Sequence, residues 1–468
     1  MYSYINELPE LKDVLDDFHI EDALPFFDEK DETECVITCL EIMCDYIDQN
    51  PYAISEPDFE DTMLENVKEL FNIMHLSEDE KDDFEDILEN VLSIFYSQII
   101  PPRSFSTTFA KPLLQDTIFK RHAIISYLLG KPQPDQRTPE WYLFRHNLIT
   151  ASNAYKAFEN ETTRNQLIYE KCQPLRLDLL EKGNPGQINI LSPFHWGQKY
   201  EPVSVMFYED TYKTKIGDFG CIQHDKYKFL GASPDGINVD QSSNRFGRLL
   251  EIKNIVNREI DGIPKKEYWI QMQLQMETCN LDECDFLECR FQEYDGEEAF
   301  YADGSFELSE KDDCKKGAIM YFCKKDGNPK YVYMPFSVKT KEDFEKWEHD
   351  TMLELEKEFM WIKNIYWKLD EVSCVLVMRN KKWFQDTVEK IGETWSIIEK
   401  ERITGFQHRA SVKRSKKIVE SSSSTIDGCF LKIIKNNSQL PNNFFEKKIP
   451  LQVLKIRTES FDEINKDI

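Results

Sequence analysis

Basic residues are nearly missing from the first hundred positions, where 4 Lys or Arg stand against 29 Asp or Glu. A formal charge of −27 over 468 residues is the wrong sign for handling a polyanion, yet −25 of it belongs to that segment, leaving 56 acidic and 54 basic residues for the other 368. Local basic surface can therefore form on the remainder. Long apolar runs are also lacking: the most apolar stretches, such as 374–378, fall far short of the roughly 20 residues that a membrane helix needs. Residues 1–10 have neither the basic start nor the apolar core of a secretory signal. The twelve cysteines include no CxxC pair of the zinc or redox kind. Free thiols in a reducing, intracellular compartment are the expectation. No internal repeat is visible.

With 41% hydrophobic and 13% aromatic residues, the chain can build a sizeable core in two or three domains. Residues 1–100 read as an acidic helical region, with apolar residues at helical spacing over 34–47 and 58–74. Residues 101–136 read as a linker, opened by Pro101-Pro102, followed by a short helix over 115–129. From 137 to 300 an α/β core is expected: a helix over 153–169, strands at 229–232 and 248–256, a helix over 268–278 and a strand at 286–291. Residues 301–404 form an α+β extension packed on that core. It comprises a hairpin of 319–322 with 331–335, a long helix over 342–369, a strand at 372–378 and a helix over 383–402. Residues 405–468 hold a basic stretch, the serine run 421–424 and a small appendix.

Four short pieces carry chemistry: Trp141…Arg145…Ile149-Thr-Ala-Ser152, Trp196-Gly…Glu201, Ser233-Pro-Asp235-Gly, and Leu250-Glu251-Ile252-Lys253. An acid followed by an acid-x-lysine is what phosphodiester hydrolysis on Mg²⁺ requires. The spacing alone is a poor discriminator, because Asp28-x-Lys30, Asp79-x-Lys81, Asp313-x-Lys315 and Glu446-x-Lys448 also occur. Context singles out Glu251. Its segment is β-like, and period-2 alternation puts Glu251 and Lys253 on one face with Ile252 directed the other way. Asp235 lies 16 residues earlier in a Ser-Pro-Asp-Gly turn that directly follows the apolar strand 229–232, so two adjacent strands can bring both carboxylates to one ion. Mg²⁺, or Mn²⁺ in its place, would be held by Asp235, Glu251, Glu201 and the Ile252 backbone carbonyl. Lys253, kept charged by its acidic neighbours, would orient the nucleophile and stabilise transition-state charge. Gln271 and Gln275 share a helix face, and a glutamine facing the metal can hold the attacking water.

These pieces together resemble the YqaJ-type viral recombinases, the phage-lambda-like 5′→3′ exonucleases of the PD-(D/E)XK nuclease superfamily. The phrase Gln136-Arg-Thr-Pro-Glu-Trp141-Tyr-Leu-Phe-Arg145-His-Asn-Leu-Ile-Thr-Ala-Ser152 is especially similar to versions found in large DNA viruses. The resemblance implies a mixed sheet flanked by helices over roughly 137–291. It assigns Arg145, Ser152 and Ser233 to a pocket for a 5′-terminal phosphate. Glu201, Asp235 and Glu251 fall to the metal, Lys253 and Gln271 to catalysis, and Arg258 to the basic position after the catalytic lysine. Ser152 would also N-cap the helix that follows it. Some nucleases of this superfamily bind an iron–sulfur cluster, but Cys279, Cys284 and Cys289 are five residues apart and do not form the expected close pairs. The expected activity is Mg²⁺-dependent resection of linear duplex DNA ends in the host cytoplasm or nucleus. A structure-specific endonuclease and a DNA-end-binding scaffold are the alternatives. The acidic first hundred residues would repel DNA, cover a basic groove, or dock a basic partner such as a single-strand annealing or replication protein.

Overall fold

Two sheets organise the chain. In the computed structural model, which describes residues 29–71, 78–134, 138–175, 192–324 and 327–410, the short strands β1 (Ile149–Thr150), β3 (Ile222–Gln223) and β4 (Leu230–Ala232) form a three-stranded sheet in the order β1-β4-β3. The larger sheet has seven strands: β2 (Ile216–Gly217), β5 (Gly236–Asn238), β6 (Leu249–Asn254), β7 (Glu283–Glu293), β8 (Lys316–Lys324), β9 (Pro329–Tyr333) and β10 (Phe359–Met378). Their order is β2-β5-β6-β7-β10-β8-β9. Only β6 and β7 run parallel; the other neighbours are antiparallel. The parallel pair is joined by the helix Lys266–Cys279, the crossover that parallel strands require. The expected α/β class, a mixed sheet flanked by helices, is what the chain forms.

Each face of this sheet has its own core. Leu249, Phe286, Val375 and Val377 belong to one cluster with Trp269, Met272 and Met276 of the crossover helix. Leu250, Ile252, Leu287 and Leu369 face the other way and pack on Tyr200 and Tyr208 of the helix Pro193–Tyr212. The acidic N-terminal helices Glu29–Gln49, Phe59–Leu70 and Glu78–Gln98 bury Cys39, Met43, Met63, Val67, Phe84, Val91 and Phe95 at helical spacing. Tyr96 donates to Glu60 across them at 2.7 Å. The 101–108 segment is fastened to the sheet: the Phe105 and Thr108 amides donate to the Leu376 and Cys374 carbonyls. No helix among the described residues is long and apolar enough to cross a membrane.

Three expectations are corrected. The helix read over 342–369 ends at Leu355, and residues 359–369 are instead the first half of the 20-residue strand β10. That half is dense in aromatic and β-branched residues, and pairing with β7 and β8 on either side outweighs its helix-like apolar spacing. The helix read over 153–169 is broken into Ala151–Ala154, a 3₁₀ turn Tyr155–Ala157 and Glu161–Cys172. Asn160 starts the last of these by accepting from the Thr163 amide at 3.0 Å. Ser152 is not an N-cap: Thr150 holds that place, its amide donating to Asn153 Oδ1 at 3.0 Å. The serine run 421–424, the C-terminal appendix and residues 72–74 lie outside the described residues.

Candidate active site

Glu251 and Lys253 stand on the face of β6 that meets the crossover helix. Glu251 is fully buried, and both its oxygens are engaged. Oε1 accepts from Gln271 Nε2 at 2.7 Å and from the Lys253 ammonium, while Oε2 accepts from Gln275 Nε2 at 2.6 Å. The four-residue spacing of the two glutamines is what aims both at one carboxylate. Asp235 enters from the turn before β5, with Oδ2 accepting from the Ile252 amide at 2.7 Å. The next residue must be glycine, since a Cβ on Gly236 would lie 2.1 Å from Ile216 Cγ2.

These groups perturb one another strongly. Burial, then the Glu251 charge, pushes the Asp235 carboxyl well above the usual range; Glu201 adds to the rise, and Lys253 with the Ile252 amide opposes it. Burial alone would lower the Lys253 ammonium, but Glu251 and Asp235 outweigh it and raise it to about 12. Lys253 is therefore a fixed positive charge. Glu201 reaches Asp235 electrostatically from the helix Pro193–Tyr212. That helix is tied to β6 by Asn254, which donates to the Gly197 carbonyl at 3.0 Å and accepts from Ser204 Oγ at 2.7 Å.

A hard divalent cation fits this donor set. Asp235 and Glu251, with Glu201 in electrostatic reach, offer carboxylate oxygens, and the crowding that raises Asp235 is what a cation would relieve. Among the described residues, no group of three His, Cys, Asp or Glu side chains is gathered closely enough to hold an ion. Cys284 and Cys289 fall into opposite core clusters, on opposite faces of β7, and burial raises both thiols.

A second constellation adjoins the first. Arg145, in the last turn of the helix Pro139–His146, lies 4.4 Å from the Trp141 ring centre. It donates to Ser233 Oγ at 3.1 Å and to Ser152 Oγ at 3.5 Å. No carboxylate among the described residues pairs with it. Behind it, Lys171 Nζ donates to the Arg145 carbonyl at 2.7 Å, and Arg402 donates to the His146 carbonyl at 2.8 Å. Burial, with the Arg145 and Arg402 charges, pushes Lys171 down to about 8. Arg258, by contrast, is committed to the buried Glu288 and to the Glu259 carbonyl at 3.2 Å.

The structure thus brings Arg145, Ser152 and Ser233 together, and Asp235, Glu251, Lys253 and Gln271 together. The two groups are joined through the chain between Ser233 and Asp235. Lys171 and Arg402 bind backbone carbonyls, a role that leaves no spacing signature in the sequence.

Residues 140–282 match the model of the YqaJ-like viral recombinase domain. The chain is 30% identical over 311 residues to an uncharacterized protein of Acanthamoeba polyphaga mimivirus, an alignment covering 60% of this chain and 55% of that protein. It therefore spans about half the length of the curated relative it matches. Among solved structures, it is similar at 17% identity to LHK-Exo in complex with dAMP, over 58% of this chain and 97% of that one, with a TM-score of 0.33. A phage related exonuclease from Haemophilus somnus is 12% identical over 56% of this chain and 96% of its own, with a TM-score of 0.27. Arg145, Ser152, Glu201, Ser233, Asp235, Glu251, Lys253 and Gln271 all fall within residues 140–282, the segment that matches the YqaJ-like viral recombinase domain.

Proposed function

We propose that the chain is a divalent-metal-dependent deoxyribonuclease that resects linear duplex DNA from its 5′ ends, exposing 3′ single strands for viral recombination, repair or genome processing. The observation that carries this reading is the Arg145 guanidinium, which has no carboxylate partner among the described residues and is bridged to Ser152 and to Ser233, the latter lying two residues before the Asp235 acid. A planar fork with two hydroxyls suits a terminal phosphate, and it reads an end without reading sequence.

Asp235, Glu251, Glu201 and the Ile252 carbonyl would hold Mg²⁺ or Mn²⁺. When bound, the metal supplies a water of lowered pKa and a Lewis acid for the scissile phosphate. Lys253, charged at any working pH, stabilises the negative charge that develops on the phosphoryl oxygens. Gln271 holds Glu251 Oε1 and leaves its carboxylate plane fixed. Water attacks phosphorus, the bond to the 3′ oxygen breaks, and that oxygen leaves with a proton. The released product is a 5′-mononucleotide. The next nucleotide is left without a 5′-phosphate only if the bond on the other side breaks, so breaking the 3′ bond regenerates the pocket's ligand at each step.

The test is purified protein with Mg²⁺ on three substrates: 5′-phosphorylated duplex, 5′-hydroxyl duplex and a covalently closed circle. Mononucleotide release that is fastest on the phosphorylated ends supports the reading. Cutting of the circle with the linear ends left intact overturns it.

A further inference from the structure

Gln275 is a buried amide for which the catalytic roles above leave no task. Its side chain is fully enclosed on the crossover helix. Nε2 donates in two directions, to Glu251 Oε2 at 2.6 Å and to the Ser233 carbonyl at 3.2 Å. Oε1 has no hydrogen-bond partner among the described residues. The amide cannot turn over, because its oxygen would then face two acceptors. Gln273, equally buried two residues earlier, is a useful contrast. Its Nε2 donates to the Met378 carbonyl at 2.9 Å and its Oε1 accepts from the Asn380 amide at 2.7 Å, which fastens the end of β10 and nothing more.

Gln275 leaves a buried acceptor unsatisfied, a cost that an apolar residue of similar volume would avoid. What the amide achieves at that cost is a connection. Ser233 takes the Arg145 guanidinium on its hydroxyl and Gln275 on its carbonyl, while the other hydrogen of the same Gln275 nitrogen holds Glu251. The phosphate pocket and the acid of the metal site are thus one hydrogen-bonded unit.

We infer that Gln275 is a positioning residue that couples occupancy of the 5′-end pocket to the carboxylate geometry of the metal site. The inference rests on the function proposed above. A 5′-phosphate seated on Arg145 and Ser233 fixes the Ser233 peptide, and Gln275 carries that constraint to Glu251. The phosphorylated end and the cation then bind cooperatively, and each raises the affinity of the other by the same factor.

The experiment measures binding, not turnover. Affinities of the full-length protein for 5′-phosphorylated and 5′-hydroxyl duplexes are read by fluorescence anisotropy with and without Ca²⁺, a hard cation that seeks oxygen ligands. In the unaltered protein Ca²⁺ should tighten the phosphorylated duplex about 5-fold or more beyond its effect on the hydroxyl duplex. In Gln275→Met that extra factor should fall to about one, while Gln273→Met keeps it even if its Tm drops. A folded Gln275→Met protein that retains the full factor overturns the inference. If Gln275→Met does not fold, Gln275→Asn is read the same way, since it keeps the amide but is too short to reach both partners. If the unaltered protein binds both duplexes equally, the proposed function fails, and the coupling fails with it.

Discussion

Lys171 holds its ammonium nitrogen 2.7 Å from the carbonyl oxygen of Arg145, a residue 26 positions earlier. Arg402, from the helix Lys381–Thr404, performs the same service for the neighbouring His146 carbonyl at 2.8 Å. Two cations therefore cap the end of the helix that presents Arg145, where helix carbonyls lack partners and the dipole favours positive charge. Lys171→Met should weaken binding of 5′-phosphorylated duplex by roughly 5-fold, the worth of about 1 kcal/mol, with less effect on 5′-hydroxyl duplex. Anisotropy titrations on the two duplexes check it; an equal loss on both would mean that Lys171 does not act through Arg145.

His146 supplies a pH signature. Its Nε2–H donates to the Gln173 carbonyl at 2.7 Å and its Nδ1 accepts from Arg402 at 2.9 Å, so the ring must be neutral. Burial, then Arg402 and Lys171, lowers it to about 4. Between about 4 and the ordinary 6.5 the unfolded chain binds a proton that the folded chain refuses, so this group's contribution to stability falls as pH falls through that window. Tm measured from pH 7 to pH 4 should drop less steeply in His146→Asn than in the unaltered protein. Parallel curves would show that the imidazole does not titrate as described.

Lys253→Ala removes a fixed positive charge beside Asp235 and Glu251. Loss of a preorganised charge of this kind costs about 10²–10³ in kcat, and the mononucleotide release assay should show at least that. Duplex-end affinity should change little, because the proposed phosphate pocket is formed by Arg145, Ser152 and Ser233 instead. A variant whose KM rises while kcat is kept would place Lys253 in substrate binding instead.

Asp285 tests stability away from the site. It is fully buried on β7 and accepts from Arg248 Nη1 at 3.1 Å, Thr108 Oγ1 at 2.6 Å, and from Arg245 and Tyr208. Asp285→Ala leaves two buried guanidiniums short of a partner, a loss of about 3–5 kcal/mol. Urea denaturation should show the shift in midpoint with an unchanged slope.

Much of this site can be read from sequence because strand alternation and helical spacing are local rules. Period 2 put Glu251 and Lys253 on one face of β6, and the four-residue step put Gln271 with Gln275. What stayed hidden are the contacts made to backbone. Lys171 and Arg402 bind carbonyls, so neither their residue type nor their spacing marks them. The helix Pro193–Tyr212, which carries Glu201, holds Pro202 in its interior, a residue that argues against a helix when sequence is all there is. The apolar residues of β10 over 359–369 also fit a helical period, and only the neighbours β7 and β8 decide between the two.

The position of β10 bears on how the chain comes to be folded at all. Among the described residues it is the last strand made, yet it lies in the interior of the seven-stranded sheet, between β7 and β8. During synthesis β7 must wait, its backbone donors and acceptors open along one edge, until the helix Lys341–Leu355 and then β10 emerge. At roughly 5–20 residues per second that interval lasts several seconds, and an open apolar strand edge is a template for mispairing. The matched segment ends at residue 282, one residue before β7 begins. A fragment cut there would keep Asp235, Glu251, Lys253 and Gln271 and lose the strand against which β6 is aligned. A fragment that keeps the β6-β7-β10 order intact has to be cut beyond Met378.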